Sequence, residues 1–189
     1  ILRAMRRGYT PEAYLEKIEA LRRLIPDISL STDIIVGFPG ETDEDFEQTI
    51  SLMRTVEYDN AYIFKYSPRP GTDAAAREDD VPREVKEARN QALLTLQEQV
   101  VRRRLSRFVG RELEVLIEGP GKQPGQLFGR SRHNDGVILP ACAAPESTVV
   151  GAAGREGPPS LIGQLMPVTI VRVGARTLFA EPCHASSPS

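Results

Sequence analysis

The sequence predicts an α/β domain built on parallel strands, followed by a small all-β barrel. Three observations predict it. Between residues 10 and 66 helical and extended patterns alternate with short connections, the order that gives right-handed βαβ crossovers and a parallel sheet. Residues 79–107 read as one long helix. From Arg111 onward helical periodicity vanishes, and short β-prone runs alternate with Gly, Pro and Asn turns, the pattern of a small antiparallel barrel.

Each element has a local cause. Thr10-Pro11-Glu12 is a helix start: a hydroxyl N-cap, Pro at the first helical position and an acid in the first turn. Tyr14, Ile18, Leu21 and Ile25 recur at helical spacing, and Pro26 stops the helix. Ile34-Ile35-Val36 is an unbroken apolar run, which suits a parallel strand covered on both faces. Thr42 with Asp45 three residues on resembles a capping box, and Phe46, Ile50 and Met53 form the buried stripe of the helix it opens. Residues 61–66 form the next strand. In the long helix Pro82 sits in the first turn and Asp79 and Asp80 at the positive end. Arg102, Arg103, Arg104 and Arg107 sit at the negative end, and Gly110 terminates it. The barrel runs are 113–117, 137–139, 168–173 and 178–180, with the domain boundary near Phe108. The domains expected are therefore 1–107 and 108–183. Residues 143–160 read as a mobile excursion and 184–189 as a disordered tail.

Composition narrows the function. The 189 residues are 40% hydrophobic and 26% charged with a net charge of −2, ordinary for a soluble domain and without a bulk push toward nucleic acid. No apolar run approaches the roughly 20 residues of a membrane span, and no signal peptide opens the chain. Cys142 and Cys183 stand far apart in no metal-ligand spacing and read as unpaired thiols of a reducing, cytoplasmic protein. The chain opens at Ile1 in what reads as the middle of an element, so a piece of a longer protein is expected, with the partner strands of the sheet upstream.

Strand ends followed by loops are where ligands bind in such sheets. Two stand here: Asp33-Ile34-Ile35-Val36-Gly37-Phe38-Pro39-Gly40-Glu41-Thr42 and Tyr66-Ser67-Pro68-Arg69-Pro70-Gly71-Thr72. The first is no phosphate loop, because Glu41, Asp43, Glu44 and Asp45 at the helix start would repel an anion, and helix capping accounts for them.

Together with Arg3-Ala4-Met5-Arg6-Arg7-Gly8-Tyr9-Thr10, these two stretches resemble the second half of the radical-SAM barrel of the tRNA methylthiotransferases. Residues 110–118, Gly129-Arg130-Ser131-Arg132 and residues 165–182 resemble the TRAM domain of those proteins, a small RNA-binding barrel. Arg69-Pro70 favours the tRNA enzymes over the related ribosomal-protein methylthiotransferase. The resemblance implies a C-terminal part of an enzyme that adds a 2-methylthio group to N6-isopentenyl-adenosine beside the anticodon, using S-adenosylmethionine and 4Fe-4S clusters. The alternatives are the sister enzyme acting on threonylcarbamoyl-adenosine, or a non-catalytic RNA-binding protein.

The cluster-binding Cys-x3-Cys-x2-Cys of the family is not in this sequence, so no catalytic residue, metal ligand or bound cofactor is expected on this piece by itself. What the resemblance implies here is one wall of the S-adenosylmethionine pocket. Asp33 would accept hydrogen bonds from the ribose, Ile35 would face adenine, and the backbone at Tyr66 and Ser67 would read the adenine edge. Arg7 would pair with the methionine carboxylate. Asp33 as a cap, Ile35 as core and Arg7 as a solvated charge are the structural alternatives. The expected macromolecular partner is the tRNA anticodon stem-loop, with Arg104, Arg107, Arg130 and Arg132 as phosphate contacts, the last two on one strand face. Acids match the basic residues one for one across 108–182, which predicts weak binding. Phe128 reads as a base-stacking or a barrel-core residue. A parallel edge left without its neighbour predicts non-native self-association.

Overall fold

The computed structural model describes residues 1–141 and 161–183. The excursion at 143–160, the tail at 184–189 and Cys142 lie outside the described residues. The chain divides into two compact units, Ile1–Arg104 and Leu105–Ser189. No helix among the described residues is long and apolar enough to cross a membrane.

In the first unit, α1 (Pro11–Leu24) starts where Thr10, in extended conformation, accepts a hydrogen bond from the Ala13 N–H at 3.3 Å. It ends at Ile25, before Pro26. β1 (Ser31–Val36) leads through the loop 37–42 into α2 (Asp43–Val56). Thr42 and Asp45 form a full capping box: the Thr42 hydroxyl accepts from the Asp45 N–H, and the Asp45 carboxylate from the Thr42 N–H at 3.0 Å. β2 (Asn60–Lys65) pairs with β1 in parallel, Ser31 opposite Asn60 through Val36 opposite Lys65. A short 3-10 turn (Asp73–Ala76) precedes α3 (Arg83–Ser106). The core joins Ile18, Val36, Met53, Val56, Tyr58, Ala61 and Leu93, with Phe46, Ile50 and Ile63 packed against it.

Four expectations change here. β1 is covered on one face only: Ile34 and Val36 turn to the core, whereas Asp33 and Ile35 are exposed, because the described helices pack against a single side. In α1 only Ile18 is buried, and Leu21 and Ile25 stay 38% and 46% exposed. α3 begins at Arg83, because the Pro82 carbonyl accepts its first helical bond, from Lys86. Asp79 and Asp80 therefore precede the helix, Asp79 pairing with Lys86 and Asp80 accepting from the Gly40 N–H at 2.8 Å. At the other end Arg107 lies in the turn beyond Ser106.

The second unit is a closed five-stranded barrel of β3 (Glu112–Pro120), β4 (Gln126–Ser131), β5 (Gly136–Pro140), β6 (Leu165–Val173) and β7 (Leu178–Pro182), in the order β3-β4-β5-β7-β6. Closure leaves no free sheet edge. Val115, Ile117, Val137, Leu139, Val168, Ile170 and Leu178 fill it, each at most 1% exposed. One pair, β5 with β7, is parallel, so the barrel is not wholly antiparallel. Along β4 Gly129 and Ser131 are buried and Arg130 is exposed, so strand alternation puts half-buried Phe128 on the outward face with Arg130, and the core assignment for Phe128 does not hold. Arg132 falls in the turn after β4, so it does not share a strand face with Arg130.

Candidate functional site

The first unit presents one face of its two-stranded sheet. Because parallel register partners point the same way, Asp33 stands beside Tyr62 and Ile35 beside Phe64. Ile35, Tyr62 and Phe64 are 41%, 56% and 53% exposed. Among the described residues no group donates to the Asp33 carboxylate. It caps no helix; Thr42 does that for α2. The site thus offers a free carboxylate above an apolar floor, and Tyr62 and Phe64 join the two residues foreseen there. Period-two alternation along 60–65 was the signal for them.

Where β1 and β2 end, Tyr66 donates its backbone N–H to the Val36 carbonyl at 2.8 Å, which brings the two loops together. Its ring meets Phe38 edge-on with centroids 5.3 Å apart, and the Lys86 ammonium lies 5.3 Å from its centroid. Ser67 is exposed beside it. Arg7 is exposed in the segment before α1.

The loop 37–42 is fixed from beneath by α3. Glu41 is buried, its Oε2 accepting from the Gly37 N–H at 3.0 Å and its Oε1 from Arg89 Nη1 at 2.7 Å. The other end of Arg89 reaches Asp43 at 2.7 Å. Glu41 is therefore a buried ion-pair partner and not a helix-end charge, a correction to the capping explanation. Gly37 is left-handed at φ +70, and a Cβ there would collide with the buried Lys86 side chain. Lys86 and Arg89, three apart on α3, were missed because nothing in a helical charge pattern says which charges are buried.

These features could hold S-adenosylmethionine along one side: a carboxylate for hydroxyl donors, an apolar face, and the Ser67 backbone beyond the end of β2. They do not fit an iron–sulfur cluster, which needs an array of thiolates. Among the described residues no group of three or more His, Cys, Asp or Glu could hold a metal ion.

The four candidate RNA arginines differ in what holds them. Arg104 forms a fork on Asp59, Nε and Nη2 each 3.0 Å from a carboxylate oxygen, and is mostly buried. Arg107 lies over the Phe108 ring, 4.6 Å from its centroid. Arg130 is 3.2 Å from Glu118 and the same distance from the Asn134 side chain. Arg132 is exposed and has no carboxylate partner among the described residues.

Residues 1–53 match the radical SAM superfamily, and residues 106–183 match the TRAM domain. Three relatives are each named tRNA-2-methylthio-N(6)-dimethylallyladenosine synthase. The Opitutus terrae protein is 47% identical over 96% of this chain and 34% of its own length. That of Geobacillus thermodenitrificans is 45% identical over 96% of this chain and 32% of its own. That of Moorella thermoacetica is 46% identical over 96% and 37%. The resemblance drawn from the motifs therefore holds across nearly the whole chain, which spans about a third of the length of these relatives. The chain matches the radical SAM superfamily at its start and the TRAM domain toward its end, and in that combination it is similar to part of a tRNA-2-methylthio-N(6)-dimethylallyladenosine synthase.

Proposed function

We propose that this chain is the C-terminal part of a cytoplasmic tRNA methylthiotransferase that modifies N6-isopentenyl-adenosine next to the anticodon. In it residues 1–107 supply one wall of the S-adenosylmethionine pocket and residues 108–183 hold the tRNA. The observation that carries the reading is the exposed, unpaired Asp33 on the same face of β1 as exposed Ile35, in the segment that matches the radical SAM superfamily. When bound beside a reduced cluster, S-adenosylmethionine supplies the radical chemistry of such an enzyme. The residues of this chain bind and orient it. Asp33 accepts from the ribose hydroxyls, Ile35 lies against adenine, and the Tyr66 carbonyl and the Ser67 backbone meet the adenine edge, the Tyr66 N–H being held by Val36. Arg7 reaches the methionine carboxylate. Cluster thiolates come from the rest of the enzyme.

On the barrel, Arg132 is the phosphate contact with the fewest competing partners, and Arg130 is available once it leaves Glu118. Arg107 lies over Phe108 and Arg104 is bound to Asp59, so both are secondary.

The test is S-adenosylmethionine binding by the full-length protein with Asp33→Ala. The expected loss is about 1–3 kcal/mol, the scale of a hydrogen bond to a charged group. Unchanged affinity would remove Asp33 from the pocket.

A further inference from the structure

The barrel carries an outward row that its core does not use. Ile138 of β5 stands opposite Phe128 of β4 on one side and Phe179 of β7 on the other, and Phe179 stands opposite Arg172 of β6. The residues flanking Ile138 and Phe179, namely Val137, Leu139, Leu178 and Ala180, are all buried, so alternation fixes the row on the outer wall. Three strand spacings separate its ends, about 14 Å.

Arg172 belongs to this row only because β6 is irregular. The register shifts between Ile170 and Arg172, so Val171 is left as an extra residue and Arg172 turns outward when simple alternation would send it inward. Its Cζ lies 3.6 Å from the Phe179 ring centroid, the distance of a guanidinium stacked on a ring face. At the other end Arg130 lies 5.8 Å from the centroid of Phe128. Small residues make room for both rings: a Cβ on Gly136 would come within 3.0 Å of the Phe128 ring, and one on Gly174 within 3.0 Å of the Phe179 ring.

The two arginines are not equivalent. Arg130 is tied to Glu118 and Asn134. Arg172 is exposed and has no carboxylate partner among the described residues, so its charge is uncompensated and its plane is already ordered by the ring beneath. A planar cation held flat on an aromatic ring offers its outer face to a nucleobase. Bases stack on guanidinium planes as on rings, and little ordering remains to be done on binding.

We propose that the β4-β5-β7-β6 wall is a shelf for unpaired RNA bases, with Arg172 on Phe179 as its main stacking element and Phe128 with Arg130 as the far end. The proposal rests on the reading that the barrel binds tRNA, and adds that it takes single-stranded nucleotides by their base faces. A duplex keeps those faces stacked inside and would not use the shelf.

The experiment measures fluorescence anisotropy of the complete 189-residue chain with labelled single-stranded RNA of anticodon-loop length, and with a blunt RNA duplex. Arg172→Gln and Phe179→Leu are compared with the parent, each checked for an unchanged thermal unfolding transition. Each is expected to weaken single-strand binding roughly tenfold to a hundredfold, as for a lost base stack, while duplex binding moves less than about twofold. Single-strand affinity within about twofold of the parent in folded variants would overturn the shelf and leave the tRNA reading standing. Equal losses for duplex and single strand would also overturn it, since that marks a phosphate contact. A parent that binds neither RNA removes the tRNA reading and the shelf together. Should Phe179→Leu fail to fold, the exposed Arg172→Gln decides alone.

Discussion

Glu41 and Arg89, 48 residues apart in sequence, form a buried ion pair whose remaining carboxylate oxygen holds the Gly37 N–H. With the Arg89–Asp43 pair and the Gly40–Asp80 bond, this contact ties the loop that follows Asp33 and Ile35 to α3 and the segment before it. Arg89→Ala leaves Glu41 charged and buried without a partner, and is expected to cost about 3–5 kcal/mol in urea unfolding. Arg89→Ala with Glu41→Leu should recover most of that loss. A single-variant cost below about 1 kcal/mol would mean that the pair is solvated.

The two left-handed glycines of the loop should respond differently to alanine. Gly40 (φ +84) has open space around its Cβ position, so Gly40→Ala carries only the left-handed backbone cost of about 1–2 kcal/mol. Gly37 (φ +70) also faces the Lys86 chain, which is held by Asp79, so Gly37→Ala should cost more than Gly40→Ala. Equal losses in thermal unfolding would show that Lys86 moves aside freely.

Acid and alkaline limits follow from Asp45 and Tyr58. The Thr42 N–H and hydroxyl hold the Asp45 carboxyl below the usual carboxylate range. Its contribution is therefore present above about pH 4 and lost as pH falls through the lowered folded value. Asp45→Asn should flatten the acid side of the stability profile. Burial, with the hydrogen bond to Tyr14, pushes the Tyr58 phenol well up. The neutral phenol is favoured in the folded state, so this contribution is complete below about pH 10 and declines above it. Ultraviolet titration should find one tyrosine that ionises only on unfolding, and Tyr58→Phe should remove it.

The sheet of the first unit has two strands, with Ile35, Tyr62 and Phe64 exposed on one face. Uncovered edges and apolar faces recruit other chains. Sedimentation of the isolated chain should reveal concentration-dependent association, reduced by Tyr62→Ser with Phe64→Ser. A monomer at all concentrations would show that the face is tolerated in water.

Local chemistry was legible in the sequence wherever one residue decides it. Thr10-Pro11 and the Thr42–Asp45 box start their helices as read, because capping is a contact within four residues. The barrel followed from the change in period after Arg111. Burial was less legible. Leu21 and Ile25 match a buried stripe but face solvent, since periodicity names a face without saying what covers it. Arg89 and Arg104 resemble surface charges, yet each is held by a carboxylate more than forty residues earlier. Arg132 was named as a phosphate contact but placed on a strand that ends one residue before it, and Arg172 escaped because a bulge shifts the alternation of its strand; neither feature leaves a mark in composition.

The most direct measurement is nucleoside mass spectrometry of tRNA after anaerobic incubation with the full-length, cluster-loaded protein and S-adenosylmethionine. One tRNA carries isopentenyl-adenosine beside the anticodon and another carries threonylcarbamoyl-adenosine. The predicted result is a 2-methylthio group on the isopentenyl nucleoside alone, lost or strongly slowed with Asp33→Ala. Conversion of the threonylcarbamoyl nucleoside, or of neither by a protein that holds its clusters, would contradict it.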